Sequence, residues 1–348
     1  MKRHTAHLLA IGLVIVVLLS GCARAPEAFE EPVELIPTAA QQQVTLRSTI
    51  MYYQDDNRYL IPVMRRVLWE DGIAKATLSY MVAGGDNDLE AARLGLKTVL
   101  PEGCVVDINI TDNLAVASIN SASLATQTAG DEALMVSAIV NTLTEFPTVA
   151  QVQILIDGDA KETLRNGTAI VKPLTRGDIN LESVETAGGI VGAKKIKLFF
   201  ESDASQAMVP ITRMVFGRTD VTTAVVELLK GPKKDSGLSS KLPSDAALLS
   251  VTQKDGVVTV DFTGAFKEIA EQSDGGQQAL KALVLTCTQF PDVKEVRILV
   301  DGKPYDPAAP TIAAPTFVNS EDDTWGADLE LLPATPRVGT PLGDYGNS

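Results

Sequence analysis

Two stretches of the chain are near copies of each other and decide its fold: F-P-T-V-A-Q-V-Q-I-L-I-D-G at residues 146–158 and F-P-D-V-K-E-V-R-I-L-V-D-G at residues 290–302. Eight of the thirteen positions are identical, at a separation of 144 residues. Further upstream, Arg65 matches Arg213 at a separation of 148 residues. Self-similarity at a nearly constant spacing is the signature of a repeated structural unit. The sequence therefore predicts two diverged copies of one small domain.

Helix and strand periodicities repeat together with these stretches. One apolar stripe with the spacing i, i+3, i+4 and i+7 marks a helix in each copy: Val136, Ile139, Val140 and Leu143 in the first, and Leu280, Leu283, Val284 and Cys287 in the second. Apolar residues within 73–81 and 221–229 predict an earlier helix in each copy. Asp112-Asn113 and Asp255-Gly256 predict tight hairpin turns between strands. Each copy is therefore predicted as β-β-α-β-β-α-β, an α+β fold with the helices on one face of a mixed sheet.

The first 22 residues predict export and lipidation. Lys2 and Arg3 are followed by an apolar run from Leu8 to Leu19, and the stretch ends in Leu19-Ser20-Gly21-Cys22. A positive start, a short apolar run and small residues before a processing point are typical of a secretory signal. As a helix the run would span only ~18 Å of a hydrocarbon core about 30 Å thick, which disfavours an uncleaved anchor. We predict that Cys22 is acylated and holds the mature chain on the extracytoplasmic face of the cell membrane.

Composition and the repeat predict the domain boundaries. Acidic segments rich in proline, without a sustained apolar period, are typical of solvated tethers and tails. The predicted organisation is a signal peptide at 1–21, a tether at 22–45, a first domain at 46–159, a linker at 160–193, a second domain at 194–303 and a disordered tail at 304–348.

Charge and histidine content exclude several classes of function. The formal net charge is −14, and removal of a signal with Lys2, Arg3 and no acid lowers it to −16. Nucleic-acid binding depends on neutralising phosphates, so no nucleic-acid partner is predicted. Both histidines, His4 and His7, lie in the signal, which removes Ser-His-Asp and Cys-His catalysis and histidine-ligated zinc from the mature chain. We predict no catalytic residues, no metal and no cofactor.

The lipobox, the acidic tether and two copies ending in V-x-x-V-x-I-L-[IV]-D-G resemble GerM-type sporulation and germination lipoproteins, and the repeated unit resembles the GerMN domain. The resemblance covers about residues 46–159 and 194–303. It implies a non-enzymatic envelope protein whose domain is similar to the ring-building modules of sporulation channels and secretion systems. The first copy departs from the pattern, with Val82-Ala83-Gly84-Gly85 where the second has Lys230-Gly231-Pro232, so a different loop is expected there.

Several polar residues and thiols are candidates for a site. Asp157-Gly158 and Asp301-Gly302 could offer paired carboxylates, but Asp-Gly also forms the turn that ends a strand, and we favour the turn. Cys104 and Cys287 are predicted as buried core residues rather than reactive thiols. The acidic runs at 55–57 and 86–88 are interpreted as solvated loops, since neither has the spacing of a calcium loop. The repeated Arg65 and Arg213 could contact a partner's acids, although a local salt bridge on a wet face is the expected role.

The sequence predicts a function in binding. Residues shared by the two copies are mostly apolar, Gly and Pro, so what the duplication retains is a fold rather than a set of catalytic acids. We expect a membrane-anchored scaffold that contacts other envelope or sporulation-channel proteins and self-associates weakly. A lipoprotein that binds or acts on peptidoglycan or another glycan remains the alternative, because glycosidases need only two carboxylates.

Overall fold

The computed structural model describes residues 45–69, 72–125, 127–182, 192–272 and 276–322. The predicted signal, the tether with Cys22 and most of the predicted tail lie outside these ranges. No helix within the described ranges has the length and apolar character needed to span a membrane.

The first copy begins with an antiparallel hairpin and ends with a three-stranded mixed sheet. Strand β4 pairs antiparallel with β3 and parallel with β5, and helix α3 makes the crossover between β4 and β5. The elements are β1 (Leu46–Gln54), β2 (Leu60–Leu68), α1 (Ile73–Ser79), α2 (Gly85–Arg93), β3 (Val106–Thr111), β4 (Leu114–Ile119), a 3-10 turn (Ser121–Leu124), α3 (Ala129–Leu143) and β5 (Gln151–Ile156).

The second copy repeats this order, with the hairpin extended by β8 and a three-stranded core of β9, β10 and β11. Again the last two strands of the core are parallel and joined through a helix. The elements are β6 (Ala193–Ser202), β7 (Met208–Phe216), α4 (Val221–Leu229), β8 (Leu238–Ser239), β9 (Leu248–Lys254), β10 (Val257–Phe262), a 3-10 helix (Gly264–Glu271), α5 (Gln277–Thr288), β11 (Glu295–Val300), β12 (Lys303–Pro304) and β13 (Ile312–Ala313).

The predicted α+β fold and its repetition are confirmed. All four residues of the predicted stripe on α3 and all four on α5 are buried. Both helices also contact the hairpin of their own copy. Asp112-Asn113 and Asp255-Gly256 have positive φ at both positions, the conformation of a two-residue hairpin turn whose twist suits the flanking strands.

The first copy differs from the second after its first helix, as its sequence suggested. Helix α2 occupies the position where the second copy has Lys230 as helix cap and Gly231 with φ 75°. The carboxylate of Asp88 accepts hydrogen bonds from the Gly84 amide at 2.8 Å and the Thr98 hydroxyl at 2.7 Å. These hydrogen bonds stabilise the first turn of α2. The first copy therefore has one more α-helix than the second.

Most of the buried apolar residues of the two copies form one continuous cluster. Tyr53 and Leu78 of the first copy and Phe200 and Val225 of the second belong to it. The described residues from 45 onward therefore pack as one unit rather than as two separately closed cores.

The segments predicted as linker and tail are ordered where the structure describes them. In the linker, Leu174 pairs with Val152 of β5, and Ile170 and Ile179 are buried. The prediction of a disordered tail from residue 304 is wrong for residues 304–322. Strand β13 pairs with β11, and Asn319 is only 6% exposed. Each segment gains its order from strands that are distant in sequence, which a local reading of composition does not reveal.

Candidate interaction surfaces

The repeated Asp-Gly pairs are turns. Asp157 and Asp301 each have φ 51°, and each is followed by a glycine with positive φ. The Asp157 carboxylate accepts a hydrogen bond from the Ser121 amide at 3.0 Å, and bonding to Ser121 lowers the pKa of this acid. The carboxylate thus stabilises the loop that follows β4, in agreement with the turn interpretation.

Both cysteines of the described chain are buried and free, as the apolar stripe indicated for Cys287. Burial raises the pKa of the Cys287 thiol to about 12 and also raises the pKa of Cys104. A thiol is a nucleophile only as the thiolate, so both residues are poorly placed for thiol chemistry.

The acidic loops are more involved in structure than predicted. Asp55 is 1% exposed, because its carboxylate accepts bonds from the Asn57 and Tyr59 amides and from the Ser202 hydroxyl of the second copy at 2.6 Å. The expectation of a solvated loop is therefore wrong for Asp55. No group of three or more His, Cys, Asp or Glu side chains suited to a metal ion occurs within the described ranges.

Arg65 is buried and Arg213 is largely shielded from solvent, which corrects the expectation of a wet face. Arg65 is 7% exposed and contacts Tyr53, Glu90 and Glu321. The Arg213 side chain is 12% exposed and pairs with Glu182 at 2.7 Å. Burial lowers the pKa of Arg213, but the hydrogen bonds and charges of Glu182 and Glu227 outweigh it and raise the pKa overall. Each arginine therefore holds a segment that lies outside the predicted domains.

The linker segment 179–182, which we call the linker strap, lies on the second copy. The backbone oxygen of Asn180 accepts a bond from the Thr212 amide at 3.2 Å, and the Glu182 amide donates to Thr212 O at 2.9 Å. The Asn180 carboxamide joins the two hairpins: its Nδ2 donates to Leu60 O and Pro210 O, and its Oδ1 accepts from Leu60 N, at 2.8–2.9 Å.

The tail segment 318–321, the tail strap, lies on the first copy in the same way. Asn319 O accepts from the Met64 amide at 2.8 Å, and the Glu321 amide donates to Met64 O at 3.0 Å. The Asn319 carboxamide donates to Pro62 O at 3.0 Å and Met208 O at 2.9 Å, and accepts from Met208 N at 2.8 Å.

The two straps are equivalent under exchange of the copies. The residues that the straps contact correspond at an offset of 148: Leu60 to Met208, Pro62 to Pro210, Met64 to Thr212 and Arg65 to Arg213. In each pair, one residue contacts the linker strap and the other contacts the tail strap. Each strap follows one copy and crosses to the other, so the contacts are reciprocal and relate the copies by an approximate two-fold axis. The sequence analysis did not identify Asn180, Glu182, Asn319 or Glu321 as functional residues. A signal was present, because residues 179–182 and 318–321 share the pattern [IV]-N-x-E.

A groove of about 340 Å³ beside the linker strap is lined by Asp178, Lys195, Lys197 and Gln289. Asp178, Lys195 and Gln289 each have partners within the chain. Lys195 forms an ion pair with Asp178, and the Gln289 side chain bonds the backbone amide and carbonyl of Lys197. Burial and the nearby Arg176 lower the pKa of Lys197.

Strand β3 presents an open edge. Within the described residues it pairs with β4 alone. Thr111 and Leu114 flank the two-residue turn and form a hydrogen-bonded pair, so residues 107, 109 and 111 bond β4. The backbone groups of Val106, Ile108 and Ile110 then point outward. Ile110 is 37% exposed, and neither proline nor a bulge interrupts the strand.

Strand β9 is the corresponding edge of the second copy and is less suited to pairing. Its register shifts opposite Asp261 and Phe262, which places a bulge at Leu249. A bulge twists a strand and blunts its edge against pairing with another chain. The first copy therefore carries the more open edge.

The repeated unit also identifies the chain. Residues 50–162 and 197–306 match the Germane family, described as "Sporulation and spore germination". The chain belongs to the Germane family.

A relative and a solved structure agree with this membership. The spore germination protein GerM of Bacillus subtilis (strain 168) is 30% identical over 344 residues, covering 87% of this chain and 93% of that protein. The solved structure of the tandem GerMN domains of the sporulation protein GerM from Bacillus subtilis superposes with a TM-score of 0.65 at 29% identity. That match covers 79% of this chain and 99% of that structure. This member of the Germane family is thus a GerM-like sporulation and germination protein with tandem GerMN domains.

Proposed function

We propose that this protein is a non-enzymatic scaffold of the sporulating cell envelope, tethered to the membrane through an acylated Cys22, and that it pairs with another envelope protein through the edge of β3. The open edge of β3 carries the proposal. Outward N–H and C=O groups along an edge strand are a ready template for a strand of another chain. The family description, "Sporulation and spore germination", supports a role for such an assembly in one of these processes.

The geometry of the tandem supports a scaffold. Reciprocal straps and a continuous core hold both copies in one unit, so a partner bound at β3 would be held in a defined relation to the second copy. Preorganisation of this kind reduces the entropy lost on binding.

Proline substitution at the edge tests the proposal. The amide of Ile110 faces outward, so Ile110→Pro removes one pairing donor while leaving the bonds to β4 in place. We expect capture of protein neighbours by a photocrosslinker at Asn109 to fall at least fivefold in sporulating cells.

Two controls accompany this test. Gln253 occupies the same position before the turn of the second copy, so Gln253→Pro should leave capture unchanged. Ile110→Ala removes most of the side chain but keeps the outward amide, so this variant should retain most of the capture. If wild-type protein captures no protein neighbour but is retained by purified peptidoglycan, the glycan-binding alternative replaces the scaffold.

A further inference from the structure

The two straps show what their docking sites recognise. They agree at Asn and Glu and carry a β-branched apolar residue before the Asn. Between Asn and Glu they differ, with Leu181 in one and Ser320 in the other, and Leu181 is 55% exposed. Since equivalent carboxamide and backbone hydrogen bonds form in both cases, and each glutamate contacts the repeated arginine, the site reads an extended [IV]-N-x-E segment.

The carboxamide and backbone of this segment satisfy main-chain groups of the two hairpins, and its glutamate adds a further partner for Arg65. The Asn319 carboxamide bonds Pro62 O, Met208 N and Met208 O, which lie on facing strands of the two hairpins. The backbone on either side of Ser320 bonds both polar groups of Met64. Glu321 accepts from the Arg66 amide at 2.9 Å and lies 3.3 Å from Arg65 Nε. Leaving such groups buried without partners is costly, so an empty site favours a new occupant.

The straps differ in how the chain holds them. The linker strap lies between the two GerMN copies in sequence, so the chain tethers it at both ends. The tail strap follows the second copy and is connected to β13 through residues 314–317. It can leave β2 without breaking any strand of either copy. When an identical segment of a second chain takes its place, every contact is retained, which is the condition for exchange between protomers.

We propose that the β2 edge of the first copy is a docking site for an [IV]-N-x-E strand and that the tail strap of a second copy of this chain can occupy it. The surface is separate from the β3 edge of the proposed function. Two chains that exchange tail straps would each bind the other through contacts already present within one chain.

Mixing two full-length variants tests the exchange, because Met64 and Ser320 are bridge partners. One chain carries Met64→Cys and the other Ser320→Cys, and the mixture is oxidised with oxidised glutathione. Docking of the tail strap in trans brings the two introduced thiols on different chains together, so it should raise the yield of their disulfide above that of chance encounters. The concentration should be about 1 mM, because a tethered segment competes at an effective concentration in the millimolar range. Mass spectrometry of tryptic peptides identifies the linked pair.

Thr212→Cys provides the matched control, since Thr212 is the counterpart of Met64 beneath the linker strap. Each of the two variants is mixed with the Ser320→Cys chain. We expect at least tenfold more disulfide between chains with Met64→Cys than with Thr212→Cys. A single chain carrying both Met64→Cys and Ser320→Cys verifies that the geometry permits the bond. Equal yields from the Met64→Cys and Thr212→Cys mixtures would overturn the proposal.

A second measurement requires no disulfide. The full-length double variant Asn319→Ala/Glu321→Lys should release its own strap, because it loses the carboxamide and places a lysine beside Arg65 and Arg66. A labelled peptide of residues 314–322 should bind this variant at least tenfold more tightly than wild-type protein, whose site is occupied. Asp322→Lys changes only a half-exposed pair with Arg66 and should behave as wild type. Failure of the peptide to bind a double variant that retains wild-type circular dichroism would count decisively against the docking site.

Discussion

Gly95 is the residue on which the hairpin tip of the second copy rests. It has φ 67°, and a Cβ at this position would lie 2.9 Å from the Cα of Ser205. Gly95→Ala therefore combines a left-handed alanine with a backbone overlap between the copies. We expect the free energy of unfolding to fall by about 2–4 kcal/mol, measured by urea denaturation.

Gly103→Ala separates the two causes. Gly103 has φ 72°, but a Cβ there would meet no atom within 4 Å. This substitution should cost only the conformational strain, about 1–2 kcal/mol. Equal losses at the two glycines would mean that the close approach of Ser205 does not contribute to stability.

At the scale of an element, helix α3 begins with a reciprocal capping box. The Asp131 amide donates to the Thr128 hydroxyl at 3.2 Å, and the Thr128 amide donates to the Asp131 carboxylate at 3.0 Å. Hydrogen bonds from Thr128, with a smaller contribution from Arg58, lower the pKa of Asp131 from 3.8 to about 2. An acid with a lowered pKa stabilises the fold above its unfolded pKa and loses that effect as pH falls through the folded value.

The capped helix thus has a pH signature. Asp131→Ala should lower stability by about 1 kcal/mol at pH 7, and the difference from wild type should vanish between about pH 4 and pH 2. Chemical denaturation at a series of pH values measures it. Asp131→Asn keeps an acceptor without the charge, so its stability should lack this pH dependence. A wild-type advantage over Asp131→Ala that persists unchanged at pH 2 would contradict the assignment.

At the scale of the whole molecule, Cys22 lies 23 residues before the first described residue, and its lipidation remains a prediction. A single buried acyl chain binds a membrane marginally, whereas two chains give stable anchoring. A diacylglycerol on Cys22 would supply both. Cys22→Ala should move the protein from the membrane fraction to the soluble fraction or leave an unprocessed precursor. Mass spectrometry of the wild-type mature protein that shows an unmodified Cys22 would exclude this anchor.

Local periodicity accounts for the parts of the fold that the sequence predicted. The apolar stripes of α3 and α5, the two-residue hairpin turns and the burial of Cys287 depend on spacings of two to seven residues. In each case the driving force, burial of an apolar face or adoption of positive φ, acts on neighbouring residues. The existence of both copies and the main order of their elements were therefore readable from the chain alone, whereas α2 and the short strands β8, β12 and β13 were not predicted. The family was indicated by the resemblance of the repeated motifs rather than by periodicity.

The joining of the copies was decided by tertiary structure. Asn180 and Asn319 lie in segments without apolar periodicity, and their hydrogen-bond partners are 30 to 257 residues away. Arg65 is buried because Glu321, 256 residues later, returns to it. Local sequence patterns were enough to specify two similar domains. The docking of the tail strap, which follows the second copy, onto the hairpin of the first copy depends on the complete fold. A buried carboxamide or charge is stable only where its partners have already been brought together.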